Sequence, residues 1–157
     1  MKYRINKEQD VSYYRVVLAD RFSLPVLEEC YKEILDHPDW QADNDILWDA
    51  RQCAFGHLTT NDLHAIGYMT MRYKEKRGRG IAAWVVGSEI DFGISRMFEM
   101  MQEGRVTFSF RVFKAIQEAE KLLQARGVHV MVNQKVESIL GNGTARAVKM
   151  ADGTELP

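Results

Sequence analysis

An uninterrupted apolar segment at residues 81–86, Ile-Ala-Ala-Trp-Val-Val, constrains the fold more than any other part of the sequence. Gly78 and Gly80 precede it and end the helical pattern before it. Six residues are too few to cross a bilayer, and an apolar strand without polar alternation is typical of a position buried on both faces. Such strands lie in parallel sheets that helices cover on both sides, so the segment predicts an α/β fold.

The chain up to residue 125 alternates between strand and helix patterns. Besides the central strand, the predicted strands are a short edge strand within residues 1–10 and segments at 11–18, 46–50 and 106–112. The predicted helices cover about 23–37, 59–77, 88–103 and 113–125. This order implies right-handed crossovers and a mixed, largely parallel sheet covered by about four helices.

Two of the predicted helices begin with a capping-box pattern, at Thr59 with Asp62 and at Ser88 with Asp91. In this motif the hydroxyl accepts a hydrogen bond from the third helical N–H, and the acidic side chain reaches back to the cap residue. The apolar spacing in the helix that follows Ser88 predicts one buried stripe. Its members are Ile90, Ile94, Met97, Phe98 and Met101.

Residues 1–125 are predicted to form one domain, and residues 126–157 differ in kind. Two strand patterns in this tail, at 128–140 and 145–150, are joined by Gly-Asn-Gly at 141–143. Glycine and asparagine favour tight turns, so the tail is predicted to be an appended β-hairpin.

Composition and charge exclude several classes of protein. The net charge of -1 removes the whole-chain argument for nucleic acid or an acidic membrane surface. The basic run at 72–79 is interpreted as a solvated helix end, where the helix dipole favours cations. The sequence also lacks a long apolar segment or signal peptide, so we expect a cytoplasmic protein with no integral membrane segment. The only cysteines, Cys30 and Cys53, have no metal-ligand spacing, so neither a metal nor a cofactor is expected.

The polar residues at the predicted sheet edge form no catalytic constellation, but they offer two candidate sites. Thr59 and Thr60 are candidate phosphorylation targets because a helix N-terminus stabilises an added negative charge, and Asp62 belongs to the same candidate docking surface. The second candidate is an anion or ligand pocket between the two capped helix starts, formed by Arg51, Ser88 and Arg96. Plain N-capping by the threonines and internal ion pairing of the arginines are the competing interpretations.

Residues 11–124 resemble the bacterial relatives of the sulfate-transporter and anti-sigma-factor-antagonist (STAS) domain, a group also labelled Sec14-like. The resemblance rests on Ile-Leu-Trp-Asp-Ala-Arg at 46–51, on Ala-Trp-Val-Val at 83–86 followed by Asp-Phe-Gly-Ile-Ser-Arg-Met at 91–97, and on Arg-Val-Phe at 111–113 leading into Ala119 and Leu122. It implies a STAS-like fold and a module that acts through protein partners.

In anti-sigma-factor antagonists, an Asp-Ser-Ser-Gly-like segment at the start of the helix after this strand carries the serine that a partner kinase phosphorylates. The matching positions here are 58–61, Leu-Thr-Thr-Asn, which keep hydroxyl groups but lack the Asp and the Gly. The resemblance therefore points to Thr59 or Thr60 as the residue that a partner kinase would modify.

The tail resembles a different protein class. Residues 127–157 are similar to a segment of the NAD-binding domain of pyridine-nucleotide disulfide oxidoreductases, on the basis of 127–130, 135–139 and 150–157. The phosphate-binding GxGxxG follows none of the predicted strands, so this resemblance implies a flavoprotein-like fragment without the cofactor chemistry.

Two functions from different classes remain open on this basis. The first is a non-enzymatic regulatory or protein-interaction module of STAS type, switched by phosphorylation near the start of the second helix, with a regulator or kinase as its partner. The alternative is a small-molecule, anion or lipid-binding module that uses the helix N-termini at the sheet edge. Unpaired strand edges also lead us to expect a homodimer. No nucleic acid partner is expected.

Overall fold

A computed structural model describes residues 1–7, 13–126, 136–140, 147–150 and 155–156. The chain divides into two compact units, Met1–Gly127 and Val128–Pro157, and each is described by itself. No helix in the described ranges is both long and apolar enough to cross a membrane.

The first unit is built on a five-stranded sheet in the order β1-β2-β3-β4-β5. The strands are β1 (Lys2–Lys7), β2 (Tyr13–Arg21), β3 (Asp45–Ala54), β4 (Ile81–Val86) and β5 (Ser109–Phe113). The β1 strand is antiparallel to β2, and the remaining neighbours are parallel. Every residue of β4 is buried, which confirms the central strand expected from its apolar run. The predicted first residue of the second strand, Val11, lies outside the described residues.

Five helices accompany this sheet. They are α1 (Leu24–Leu35), α2 (Thr60–Arg72), α3 (Lys74–Arg77), α4 (Glu89–Gln102) and α5 (Ile116–Arg126). The predicted second helix is divided into α2 and the single turn α3, with Tyr73 between them. The α/β class with a mixed sheet is as expected from the sequence.

The core has one layer on each side of the sheet because side chains alternate along the strands. On one side α1, α2 and α4 cover a stack of aromatic rings in which Trp48 and Trp84 lie parallel, 4.9 Å apart, and Trp84 stacks on Phe110. On the other side α5 covers Leu47 and Val85 and their apolar neighbours.

The basic run at 72–79 was predicted to be a solvated helix end, and this prediction is wrong for Arg77. Its side chain is 0% exposed, and its Nη2 donates to the main-chain oxygen of Ile81 over 2.8 Å. The guanidinium lies over the rings of Trp40 and Phe108, at 5.5 and 5.3 Å from their centroids. Burial lowers the pKa of Arg77, while the nearby Tyr31 and Asp45 act in the opposite direction. The residue is therefore a structural cation inside the unit.

The buried stripe predicted for α4 is wrong at two of its five positions. Phe98 is buried as expected, but Ile90 and Met97 are exposed. The buried side of the helix is instead formed largely by polar residues, which are Asp91, Ser95, Glu99 and Gln102. These residues make hydrogen bonds, ion pairs and close contacts that a hydrophobic period does not register, so α4 turns apolar side chains towards solvent.

The second unit contains a three-stranded antiparallel sheet in the order β6-β7-β8. Its strands are β6 (Val136–Leu140), β7 (Ala147–Met150) and β8 (Glu155–Leu156). The antiparallel pairing of β6 with β7 has the character of the predicted hairpin, and β8 adds a strand that was not predicted. The predicted strand segment at 128–135 and the turn at 141–143 lie outside the described residues.

Candidate functional site

The start of α2 and the start of α4 lie at the same edge of the sheet, where the parallel strands β3 and β4 end. Ala50 of β3 pairs with Val86, the last residue of β4, and β3 continues beside β2 as far as Ala54. Gly87 packs so closely that a Cβ atom there would overlap the main-chain oxygen of Arg51. The sequence order therefore places the two capped helix starts together, as expected for a parallel sheet.

Thr59 forms the complete capping box predicted at the start of α2. Its Oγ1 accepts from the Asp62 N–H over 3.3 Å and donates to Asp62 Oδ2 over 2.7 Å. The Thr59 N–H also donates to Asp62 Oδ2, over 2.8 Å. These hydrogen bonds lower the pKa of Asp62 and commit the Thr59 hydroxyl to holding the helix start.

Thr60 has a different environment from its neighbour. It is the first residue of α2 and is exposed, and its hydroxyl makes no hydrogen bond within the described part of the chain. Of the two threonines predicted as modification targets, only Thr60 therefore has a hydroxyl that a partner could reach without breaking the helix cap.

The capping box predicted at Ser88 is only half formed. Ser88 Oγ accepts from the Asp91 N–H over 3.1 Å and donates to Asp91 Oδ2 over 2.6 Å. The other oxygen of Asp91, Oδ1, accepts instead from the Phe55 N–H over 2.7 Å. Asp91 is therefore a buried link between α4 and the loop before α2, and the Ser88 hydroxyl is engaged within the chain.

Arg51 is paired within the chain. Its Nε and Nη2 each donate to one oxygen of Asp49 over 2.8 Å, and Arg15 Nη2 approaches the same carboxylate at 3.3 Å. Hydrogen bonds from Arg51 are the main cause of the lowered pKa of the buried Asp49. Arg51 therefore makes an internal ion pair, which is the alternative to an anion pocket considered in the sequence analysis.

Arg96 lies in a different place from Arg51 and Ser88. Its Nη1 donates to Glu99, one turn further along α4, and Arg111 Nη1 donates to the other oxygen of Glu99 over 3.3 Å. Arg96 lines a cavity between α4 and β5 to which neither Arg51 nor Ser88 contributes. An anion site shared by all three residues stays a prediction, and each of them has a carboxylate partner of its own.

A cleft of about 270 Å³ lies beside the start of α2. Its walls come from the start of α1 and from the loop and first turns of α2, and include Phe22, Leu24, His57, Leu58, Asp62 and Ile66. A smaller apolar pocket of about 30 Å³ shares Phe22, Leu58 and Ile66 with the cleft and has Trp84 and Phe98 in its wall. The sequence did not indicate this cleft, because its walls come from segments that are distant in sequence.

Ile90, at the start of α4, is 68% exposed. Its Cγ2 atom is 3.6 Å from the position that a Cβ on Gly56 would occupy, so it lies against the loop that leads to Thr59. Ile90 therefore adds an exposed apolar side chain beside this loop. The apolar spacing of the helix predicts Ile90 in the core, so its exposure was not expected from the sequence.

The described residues contain no group of three or more His, Cys, Asp or Glu side chains arranged to hold a metal ion. Both cysteines are buried, and burial raises the pKa of Cys30 to about 12 and that of Cys53 to about 11. Thiols with such pKa values are almost fully protonated near neutral pH, so neither is an activated nucleophile.

Comparison with known proteins identifies the fold. Neither the models of known protein families nor the curated proteins gave a match to this sequence. Among solved structures, the chain is similar to an uncharacterised protein of the DUF3478 family from Shewanella loihica PV-4, which has a SpoIIAA-like fold. The TM-score is 0.52 with 13% sequence identity, and the match covers 78% of this chain and 92% of that one. The chain therefore has a SpoIIAA-like, STAS-like α/β fold, whereas the resemblance of residues 127–157 to a flavoprotein segment stays a prediction.

Proposed function

We propose that this protein is a non-enzymatic regulatory module of STAS type that binds a protein partner at the start of α2. The proposed contact surface, called here the helix-start face, consists of Thr60, Asp62, Ile90 and the cleft beside Leu58. The observation that carries the proposal is the cleft of about 270 Å³ at the start of α2 together with the exposed Ile90 beside the loop that leads to Thr60.

The helix-start face combines the features of a protein interface. Ile90 supplies an apolar contact, the cleft of about 270 Å³ has room for a side chain of the partner, and Asp62 is an exposed charge near its rim. Interfaces typically gain most of their affinity from a few apolar or aromatic anchors seated in pockets and surrounded by polar groups. The STAS-like fold is consistent with a module that works through partners.

Phosphorylation of Thr60 is the proposed switch of this face. A phosphate there would lie at the N-terminus of α2, where the helix dipole favours negative charge. Phosphorylation of Thr59 would instead remove the hydroxyl that caps α2 and repel the Asp62 carboxylate. Thr60 can therefore change the charge of the face while the cap holds the helix start.

Affinity purification from cells of the source organism tests the proposal, with the wild-type chain and two variants in parallel. Ile90→Ser and Thr60→Glu should each weaken capture of a specific protein by about tenfold, the effect of removing one interface anchor or adding one repulsive charge. Met100→Ser is the matched control because Met100 is equally exposed, at 70%, but lies near the other end of α4. Equal capture by all folded variants would contradict the proposal.

Small-molecule binding is the second candidate function. It is favoured by the cleft of about 270 Å³, whose walls include the apolar residues Phe22, Leu58 and Ile66, since ligand sites are concave and mostly apolar. Native mass spectrometry of the purified chain should then show a bound molecule that Leu58→Gln removes and Met71→Gln retains. A chain that is empty in every preparation would contradict this candidate.

A further inference from the structure

A polar cavity of about 430 Å³ lies between α4 and β5 and is separate from the helix-start face. Its walls are the second half of α4, the segment at 103–108 and β5. The volume falls within the range of roughly 300–1,000 Å³ that small-molecule sites occupy. The proposed function makes no use of this cavity.

Two arginines and one buried carboxylate form the charged wall of the cavity. Arg96 and Arg111 approach opposite oxygens of Glu99, whose side chain is only 9% exposed. The carboxylate is balanced by either arginine alone, so the second guanidinium adds a positive charge that Glu99 does not neutralise. This end of the cavity therefore has one excess positive charge.

Most of the donors on the two arginines remain available. A guanidinium carries five N–H donors in a planar fork that matches a carboxylate. Within the described residues, Arg96 and Arg111 each make only one hydrogen bond, through Nη1 to Glu99, and both side chains are about half exposed. A second carboxylate placed between them would be held by charge-assisted hydrogen bonds.

The remaining wall limits which anion fits. Val106 and Phe110 supply apolar surface, so a ligand with an apolar body is favoured over a bare ion. Glu103 also lines the cavity, and the four charged lining residues then sum to zero, which disfavours a polyanion such as a nucleic acid.

We propose that this cavity binds a small organic carboxylate, with its head between Arg96 and Arg111 and its apolar body against Val106 and Phe110. The site is independent of partner binding at the helix-start face. Recognition of the carboxylate depends on the N–H groups of Arg96 and Arg111 that make no hydrogen bond within the described residues.

Titration of the full chain with acetate, benzoate and 4-phenylbutyrate, followed by nuclear magnetic resonance of the backbone amides, tests this proposal. At least one of these carboxylates should shift the amides of residues 96–111 saturably, and the corresponding neutral amide should bind about tenfold more weakly, the value of one charge-assisted hydrogen bond. Absence of saturable shifts with all three carboxylates would overturn the proposal. Equal binding of inorganic phosphate would overturn it as well, because the apolar wall would then contribute nothing.

The matched variants are Arg111→Gln and Arg79→Gln. Arg111→Gln should weaken carboxylate binding by about tenfold while the chain stays folded, because Glu99 keeps its ion pair with Arg96. Arg79 is an exposed arginine that does not line the cavity, so Arg79→Gln should leave binding unchanged. A thermal denaturation curve of each variant without ligand verifies the fold. Unchanged affinity in a folded Arg111→Gln chain would overturn the assignment.

Discussion

Asp91 and Phe55 are joined by a hydrogen bond of 2.7 Å in which the main-chain N–H of Phe55 donates to Asp91 Oδ1. Because Asp91 is also bonded to the Ser88 hydroxyl, one buried carboxylate fixes the start of α4 against the loop that leads into α2. Thr60 and Ile90 lie on either side of this link. The geometry of the helix-start face therefore depends on a side chain that is itself buried.

Removal of this carboxylate should destabilise the chain. Asp91→Ala leaves the buried Phe55 N–H without an acceptor, so we expect the free energy of unfolding to fall by about 1–3 kcal/mol. Asp91→Asn keeps an oxygen that can accept from Phe55 and should therefore lose less. Urea denaturation measures both variants, and equal losses would show that the hydrogen bond to Phe55 contributes little.

The two threonines at the start of α2 should differ sharply in their effect on stability. Thr59→Ala removes the cap and should lower the free energy of unfolding by about 0.5–2 kcal/mol. Thr60→Ala removes an exposed hydroxyl without a partner in the described chain, so its effect should lie within about 0.5 kcal/mol of zero. Urea denaturation of the two variants under one set of conditions compares them directly, and similar losses would argue against the assignment of the cap to Thr59 alone.

The two predicted capping boxes, one complete at Thr59 and one incomplete at Ser88, indicate which features a sequence can predict. The box at Thr59 is local, because all of its partners lie within four consecutive residues, and it is present as predicted. The capping box predicted at Ser88 is incomplete because the Phe55 N–H, 36 residues away, donates to the Asp91 carboxylate that the box would need. The burial of Arg77 was missed for a similar reason, since Asn44, Trp40 and Phe108, which contact its guanidinium group, are distant from it in sequence. Sequence patterns therefore predicted the order of strands and helices better than the polar contacts between them.

The ion pair between Arg51 and Asp49 predicts a pH dependence. The pKa of Asp49 is lower in the folded chain than its ordinary value of 3.8, chiefly because Arg51 donates to its carboxylate. A group of this kind stabilises the folded state above its ordinary pKa, and the stabilisation is lost as the pH falls through the folded value. Arg51→Gln should therefore raise the pKa of Asp49 towards 3.8.

Carbon-13 resonance titration of the Asp49 carboxyl group measures this shift. Because Arg51 is partly exposed, the accompanying loss of stability at neutral pH should not exceed about 1 kcal/mol, and it should disappear in strong acid. Arg96→Gln is the control, since Arg96 pairs with Glu99 instead. An unchanged Asp49 pKa in Arg51→Gln would contradict the cause given for the shift.

Two glycines should respond to alanine in opposite directions. Gly93 lies inside α4, and a methyl group added there would have no neighbouring atom within 4 Å, so Gly93→Ala should stabilise the chain by about 0.5–1 kcal/mol through helix propensity. At Gly87 the new methyl group would overlap the main-chain oxygen of Arg51, so Gly87→Ala should destabilise it. Thermal denaturation gives the sign of each change, and a stabilising Gly87→Ala would contradict the close packing of Gly87 against β3.

The last prediction concerns which side chains of α4 are buried. Apolar spacing placed Ile90 and Met97 in the core, yet the buried side of the helix carries Asp91 and Glu99 with their bonded partners. Phe98 is the one large apolar residue of α4 that is buried in the core. Phe98→Ala should therefore cost about 3–5 kcal/mol, as for other buried aromatic residues.

Ile90→Lys tests the opposite side of the same helix. Because Ile90 is exposed, this substitution should change the free energy of unfolding by no more than about 0.5 kcal/mol, although it places a charge where the sequence pattern predicted core. Urea denaturation of Ile90→Lys beside Phe98→Ala compares the two positions, since Phe98 is buried both in the structure and in the stripe predicted from sequence. If Ile90→Lys destabilises the chain as much as Phe98→Ala does, Ile90 is buried, and it could not belong to a surface that contacts a partner.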